Sequence, residues 1–147
     1  SKPILYVFNI SDKNNVDIPP TPNSITLDIK KEFEVSELEE KDREELGEKS
    51  GLNDLIRKAY EFLGLITFFT TGEDETRAWT IPQNSNPPRA GRAIHSDFET
   101  KFIRAEVISF KRLLEAGGWS QAREKGWLRI EGRDYLVQDG DVIEFKI

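Results

Sequence analysis

The residues best suited to chemistry in this chain are His95, Ser96 and Asp97, which are consecutive. A nucleophile triad needs a serine activated by a histidine that a separate acid orients, and three sequence neighbours rarely reach that geometry. A metal site would need further histidine or cysteine ligands, but His95 is the only histidine and cysteine is absent. The pattern therefore favours a histidine at a helix end with Asp97 fixing the turn, and the alternative is that His95 belongs to a recognition surface.

Basic residues are concentrated between Arg77 and Arg112, although the whole chain is acidic, with a formal net charge of -6. This segment holds seven basic and three acidic residues. Together with three tryptophans, such a segment is typical of a surface that binds single-stranded RNA, where rings stack on bases and cations meet phosphates. The alternatives are an ordinary solvated surface and core positions for the rings. Arg77, Trp79 and Ile81 share one strand face, and this face leaves burial open because it carries both an arginine and an isoleucine. Since aromatic residues of a small domain are more often in the core, we expect Trp79 to be in the core or half-buried.

The sequence contains no motif for phosphoryl transfer. The phosphate-binding pattern GxxxxGK[ST] is absent, and the segment 47–50, GEKS, is a superficial match because Glu48 replaces the glycine before Lys49 and no strand leads into it. Without backbone N–H groups around the phosphates and a lysine on the β and γ oxygens, hydrolysis cannot proceed. We therefore expect this chain not to be catalytic by itself, and to hold no metal or cofactor of its own.

Composition allows one ordinary domain or two small ones in 147 residues. The longest apolar run, Ile4 to Phe8, is far shorter than the ~20 residues of a membrane-spanning helix, and no signal-peptide pattern is present. We therefore expect no membrane contact and a cytoplasmic location. Because a strand pattern begins almost at the first residue, which is not methionine, we expect a fragment of a longer protein.

The first part of the chain alternates strand and helix patterns. The apolar run Ile4 to Phe8 predicts a strand buried on both faces of a parallel sheet, and Ile25 to Ile29 alternates like a half-buried strand. A capping-box pattern predicts a helix over 36–47 that begins at Ser36. The spacing of apolar residues predicts an amphipathic helix over 50–64, with Ser50 as N-cap and Gly64 just past its end.

The second part reads mainly as strands. Ile66 to Thr71 and Thr76 to Ile81 predict a hairpin whose turn begins at Gly72. Residues 82–88, PQNSNPP, predict an exposed connector that is neither strand nor helix. The remaining patterns predict a helix over 89–95, a strand over 103–110, a helix over 120–126 and a closing strand over 142–147.

This order of elements, with the signatures AIHSDF and DGDVIEF, resembles the TGS domain, a β-grasp ubiquitin-like module of threonyl-tRNA synthetases, stringent-response synthetases and certain Obg-related NTPases. The segments FFTTGEDETRAWTI and IHSDFETKFIRAEV narrow the resemblance to the C-terminal part of the Obg-like ATPases. The resemblance implies an α/β (α+β) fold. In it, residues 63–147 form a β-grasp TGS domain, and residues 1–62 are the C-terminal strands and helices of a P-loop G-domain.

The resemblance also implies a role for Asn9 and Asp12 as contacts to a nucleotide base. G-domains read guanine with N-K-x-D after a buried strand, whereas Obg-like ATPases resemble N-x-x-E; this chain has Ile10 in place of the lysine and Asp12 in place of the glutamate. Without that context, the same residues predict a local turn at the strand end. The companion Ser-Ala loop of the base pocket is missing from LDIKKEFEV.

For the intact protein, the resemblance implies ATP or GTP hydrolysis with Mg²⁺ and association with the ribosome or RNA. The residues that we expect to contact RNA or the ribosome are Arg77, Arg89, Arg92, His95, Lys101 and Arg104. Two alternatives stay open. One is a stand-alone RNA-binding or ribosome-binding module with no nucleotide role, and the other is a ubiquitin-like domain whose partner is another protein.

Overall fold

A computed structural model describes residues 4–11, 21–39, 41–42, 51–72 and 75–147. The chain divides into two compact units, Ser1–Leu63 and Gly64–Ile147, which are called the first and the second unit below. The candidate base contact Asp12, the expected N-cap Ser50 and the GEKS segment lie outside the described residues. In the described ranges, no helix is long and apolar enough to cross a membrane.

The first unit pairs two strands in parallel, β1 (Tyr6–Asn9) and β2 (Ser24–Leu27). The parallel pairing confirms the kind of sheet that the apolar run predicts, but burial on both faces is wrong. Tyr6 is 48% exposed and Val7 is 45% exposed, because in the described part of the chain this sheet has only these two strands and few residues to cover it.

Two described helices complete the first unit. Helix α1 spans Ile29–Glu37 and helix α2 spans Leu52–Leu63. Gly64 follows α2 with φ +61°, the left-handed conformation that glycine adopts at helix ends, so the predicted end of this helix is confirmed.

The helix predicted over 36–47 does not begin at Ser36, which belongs to the preceding helix α1; residues 41–42 are helical, and residues 40 and 43–47 lie outside the described residues. Asp28 directly after β2 is the N-cap, and its Oδ1 accepts a hydrogen bond from the Lys31 amide at 3.0 Å. Ser36 instead lies in the last turn, where its hydroxyl donates to the Phe33 carbonyl at 2.7 Å. The sequence patterns did not predict α1, which begins after Asp28 because the chain leaves the sheet at the end of β2.

The second unit is built on a five-stranded mixed sheet. Its strands, in chain order, are β3 (Leu65–Thr71), β4 (Thr76–Pro82), β5 (Arg104–Ser109), β6 (Arg129–Glu131) and β7 (Asp141–Lys146). Their order across the sheet is β4-β3-β7-β5-β6. Strands β3 and β4 form the predicted antiparallel hairpin, with Thr71 opposite Thr76. Strand β7 runs parallel to β3 and antiparallel to β5.

Helices cover both faces of this sheet. They are α3 (Pro87–Arg92), α4 (Ser96–Thr100), α5 (Phe110–Ala116) and α6 (Trp119–Glu124). Because side chains alternate along β5, Ala105 and Val107 enter the core that includes Ala90 of α3, whereas Ile108 enters a second core with Ala116 of α5. Helices α3 and α5 therefore lie on opposite faces.

The predicted exposed connector over 82–88 is confirmed only in part: residues 82–84 are exposed, whereas residues 85–88 are buried or half-buried. Ser85 is fully buried, Pro87 and Pro88 are buried, and α3 begins at Pro87 with Asn86 as N-cap. Proline suits the first helical position because its missing N–H would have no intrahelical partner there. The Asn86 side chain accepts from the Arg89 amide at 3.1 Å.

Candidate functional sites

Asn9 lies at the carboxyl end of β1, beside the carboxyl end of the parallel strand β2. Its side-chain Oδ1 accepts a hydrogen bond from the Ile29 amide at 3.2 Å. The Asn9 side chain therefore links the ends of two neighbouring strands. Ligands of α/β sheets bind at the carboxyl ends of parallel strands, so the position suits a base contact.

The basic residues expected to bind RNA mostly have acidic neighbours in the second unit. The Arg92 guanidinium lies 3.4 Å from a Glu99 oxygen, and Arg77 lies 2.9 Å from Glu75. The Arg77 guanidinium also lies over the Trp79 ring, 5.4 Å from its centroid, and Trp79 is half-buried against the core as predicted.

His95 is the N-cap of α4. Its Nδ1 accepts a hydrogen bond from the Asp97 amide at 3.2 Å, so in the neutral imidazole the proton is on Nε2. His95 is at a helix end, but at the start of α4 rather than at the end of the helix predicted over 89–95. The Asp97 carboxylate in turn accepts from Lys101 Nζ at 2.8 Å, and this contact holds the pKa of Asp97 below its usual value.

The structure does not bring all six expected RNA contacts to one surface. Arg89 and Arg92 lie on α3, and His95 and Lys101 flank α4. Arg104, in contrast, alternates with Ala105 on β5, so its side chain leaves the sheet on the face opposite α3. Successive side chains of a β-strand point to opposite faces of the sheet. The number of residues between Arg92 and Arg104 therefore does not show from which face of the sheet the Arg104 side chain leaves.

A polar cleft in the second unit contains residues that the sequence did not single out. Its volume is about 320 Å³, and it is lined by Asn84, Asn86, Arg89, Arg133, Asp134 and Leu136. The Arg133 guanidinium donates through Nη2 to the Phe102 carbonyl at 2.8 Å and lies over the Phe102 ring, 5.6 Å from its centroid. Within the described part of the chain, neither Arg89 nor Arg133 forms an ion pair with a carboxylate.

The cleft is lined by two segments, 84–89 and 133–136, that are far apart in sequence. They meet because the Val137 amide donates to the Ser85 carbonyl at 3.0 Å. Sequence reasoning could have noted Arg133 as a basic residue in a turn, but no local pattern relates it to Arg89. The cleft is therefore a product of tertiary structure.

Comparisons with known proteins place this geometry in a family. The family model YchF-GTPase_C, described as "Protein of unknown function (DUF933)", matches residues 65–147. The protein named Ribosome-binding ATPase YchF from Bacillus subtilis is 44% identical over 99% of this chain, and that from Escherichia coli O157:H7 is 40% identical over 98%. The chain spans 45% and 44% of their respective lengths.

Among solved structures, the YchF GTPase of Schizosaccharomyces pombe is similar to this chain, with a TM-score of 0.83 and 28% sequence identity. The match covers 99% of this chain and 43% of the S. pombe chain. These similarities agree with the resemblance to Obg-like ATPases at the level of the family. The chain therefore belongs to the YchF-GTPase_C family, the C-terminal domain family of the Obg-related protein YchF.

Proposed function

We propose that this chain is the C-terminal part of an Obg-like, ribosome-associated NTP-binding protein, whose second unit binds RNA of the ribosome. The family assignment supports the proposal, because the relatives that share this region carry the name ribosome-binding ATPase. Since the chain spans less than half of their length, hydrolysis of ATP or GTP is assigned to the intact protein. A cytoplasmic location follows from the same proposal.

The first unit is proposed to be the end of a nucleotide-binding G-domain. Asn9 supports this assignment because it lies at the carboxyl edge of two parallel strands and ties Ile29 in place. The exposed apolar residues Ile4, Tyr6 and Val7 support it as well, since a larger sheet would cover them. The described residues suit the base of ATP or GTP. They contain no glycine-rich phosphate loop, so the phosphates and Mg²⁺ are assigned to the rest of the protein.

The second unit is proposed to be a β-grasp domain of the TGS type. Numbered within the unit, its strands have the order 2-1-5-3-4 with the first and last strands parallel, which is the order of ubiquitin-like β-grasp sheets. Helices α3 and α4 cross between the second and third strands, on the face where a β-grasp domain carries its helix. These features support the assignment that the resemblance implies.

One observation carries the proposal of RNA binding. Helix α3 is held by a side-chain cap and two buried prolines, and it presents Arg89 and Arg92 three residues apart, so that they share one helix face. Arg89 is exposed and has no carboxylate partner in the described residues. On a molecule with net charge -6, a rigid positive helix face is suited to phosphates. His95 and Lys101 flank the same surface on α4, whereas Arg104 leaves the sheet on the opposite face.

Cosedimentation of the 147-residue chain with purified bacterial 70S ribosomes over a salt series tests this proposal. We expect binding that weakens as salt rises, because phosphate contacts release counterions. The double variant Arg89→Glu with Arg92→Glu should bind at least tenfold more weakly. The matched control is Lys111→Glu with Arg112→Glu on α5, on the opposite face, which should bind within twofold of the parent chain.

No cosedimentation at low salt would contradict RNA binding by the second unit. An affinity for ribosomes that changes neither with salt nor in the α3 double variant would favour the alternative function, a ubiquitin-like domain that contacts a protein. That alternative has its own support in the β-grasp strand order, since ubiquitin-like sheets commonly bind proteins.

A further inference from the structure

We propose that the polar cleft between α3 and the 133–136 loop binds one nucleoside monophosphate unit of single-stranded RNA. This inference rests on the proposed function, because it locates the RNA contact of the second unit in a defined site. The site combines Arg89, which the sequence indicated, with Asn84, Arg133, Asp134 and Leu136, which it did not.

The cleft is preformed. Ser85, between the lining residues Asn84 and Asn86, is fully buried, and its hydroxyl donates to the Pro82 carbonyl at 2.6 Å. The Ser85 carbonyl accepts from the Val137 amide, which joins the two loops, and Pro87 stiffens the start of α3. A site that is already ordered loses little conformational entropy when a ligand binds. The volume of about 320 Å³ is at the lower end of small-molecule sites, ~300–1,000 Å³.

Two guanidinium groups make the cleft selective for phosphate. Arg133 is oriented by its bond to the Phe102 carbonyl and by the Phe102 ring, so its remaining N–H groups keep a fixed direction. The Arg89 side chain reaches the cleft from α3. A guanidinium binds phosphate oxygens with two parallel hydrogen bonds. Neither group has to break an ion pair within the described residues to do so.

The rest of the lining suits a base. Leu136 is 47% exposed and offers an apolar surface for a base or sugar. The Asn84 amide and the Asp134 carboxylate supply both donor and acceptor groups, as the edge of an unpaired base requires. A peptide carboxylate carries no base or sugar to contact Leu136 and Asn84, which favours a nucleotide over an acidic peptide.

Single-stranded RNA is the source that fits the size of the cleft. In duplex RNA the bases are stacked and paired, and side chains reach them poorly, whereas unpaired bases can be splayed into a pocket. A space of about 320 Å³ is comparable in size to one such nucleotide.

Fluorescence anisotropy of the 147-residue chain with a labelled, mixed-sequence single-stranded heptaribonucleotide tests the inference. Asn84 has φ +61°, so Asn84→Gly removes its amide without straining the backbone. Arg133→Gln removes one guanidinium. We expect each variant to bind at least fivefold more weakly, and Arg133→Gln to lower the salt slope by about 1. Arg112→Gln on the opposite face is the matched control and should bind within twofold of the parent chain.

Competition distinguishes the sources of the ligand. Adenosine or guanosine 5′-monophosphate should displace the labelled RNA, whereas the corresponding nucleosides and a duplex of the same length should displace it at least tenfold less well. Thermal unfolding of each variant checks that the fold is retained, and Asn84→Gly decides the outcome should Arg133→Gln be unfolded.

The failures of the two proposals are distinguishable. A parent chain that binds neither the oligonucleotide nor ribosomes overturns the proposed function. A parent chain that binds RNA or ribosomes, with Asn84→Gly and Arg133→Gln binding equally well, overturns the cleft and leaves the α3 surface in place. Displacement by poly-glutamate as efficient as displacement by nucleoside monophosphates would overturn the inference in favour of an acidic peptide.

Discussion

Asp141 shows at the scale of single residues how the second unit tolerates a buried charge. The carboxylate is 2% exposed. Its Oδ2 accepts from the Tyr135 hydroxyl at 2.7 Å and from the Gln138 amide at 2.9 Å, and its Oδ1 lies 3.6 Å from Arg129 Nη2. These donors replace the water that the carboxylate loses on burial. The cluster fixes the turn that leads into β7.

Removing one of these donors should destabilise the fold. We expect Tyr135→Phe to lower the free energy of unfolding by about 2 kcal/mol, because hydrogen bonds to charged groups contribute ~1.5–3 kcal/mol. Urea denaturation followed by tryptophan fluorescence measures the change. Tyr6→Phe, at a half-exposed tyrosine in β1, is the matched control and should change the value by less than about 0.5 kcal/mol. Equal values for the two variants would show that the Asp141 contact contributes nothing measurable.

The same cluster predicts an alkaline titration. Burial, followed by the hydrogen bond to Asp141, raises the pKa of Tyr135 from 10.0 to about 12. The folded state therefore holds this proton more tightly than the unfolded state does. Its contribution to stability is complete below pH 10 and is lost as the pH rises towards 12. The difference in tyrosinate absorbance between the parent chain and Tyr135→Phe should have its midpoint near pH 12, and a midpoint near pH 10 would contradict the contact.

At the scale of elements, the contact between α3 and α4 depends on a glycine. Gly91 is buried in α3, and a Cβ added there would lie 2.8 Å from Phe98 Cβ and 3.3 Å from its carbonyl carbon. Phe98 in turn packs edge-on against Phe145 of β7, with ring centroids 5.8 Å apart. The two short helices can therefore approach each other only where a side chain is missing.

Gly91→Ala should destabilise the protein even though alanine favours a helix. The gain in helix propensity is about 1 kcal/mol, whereas overpacking costs ~1–3 kcal/mol and here involves backbone atoms that cannot move aside. We expect a net loss of about 1 kcal/mol in the free energy of unfolding, measured by urea denaturation. Gly132→Ala, where nothing lies within 4 Å of the added Cβ, should have almost no effect. A Gly91→Ala variant more stable than the parent would disprove the close approach.

At the scale of the whole molecule, the two units differ in how well they bury apolar side chains. The second unit has a core on each face of its sheet, centred on Phe68 and on Ile108. The first unit exposes apolar residues in both strand and helix, such as Tyr6 in β1, Phe33 in α1 and Ile56 in α2. Stability of a small domain depends mainly on buried apolar area, so the units should differ when separated.

We expect residues 63–147 to fold alone and residues 1–62 to remain largely unfolded. Thermal unfolding of the longer piece, followed by circular dichroism, should show one cooperative transition. The shorter piece should show no sigmoidal transition. A disordered spectrum for residues 63–147 would mean that the boundary at Leu63 is misplaced or that this unit depends on the first.

The intact 147-residue chain should hydrolyse neither ATP nor GTP and should bind both weakly. Asn9 is proposed to contact a base, but most of the affinity for a nucleotide comes from charge-assisted bonds to its phosphates. Isothermal titration calorimetry should give dissociation constants weaker than about 100 µM, equivalent to less than ~5.5 kcal/mol of binding free energy. A dissociation constant of a few micromolar for either nucleotide would show that the chain carries phosphate contacts of its own.

Several features follow from the sequence by itself, because neighbouring residues determine them. The hairpin of β3 and β4 follows from two alternating runs around Gly72, and the end of α2 follows from Gly64. Each depends on backbone propensity and on the period of side chains within one element.

Other features depend on contacts between distant residues, and only the tertiary structure decides them. Asp28 begins α1 because β2 ends there, and the end of the connector before α3 is buried because Ser85 bonds to Val137. The cleft exists because the same contact brings Arg133 to Arg89. Local patterns state which residues could cap, turn or bind, but several such signals compete, and the register and packing of the sheet select among them.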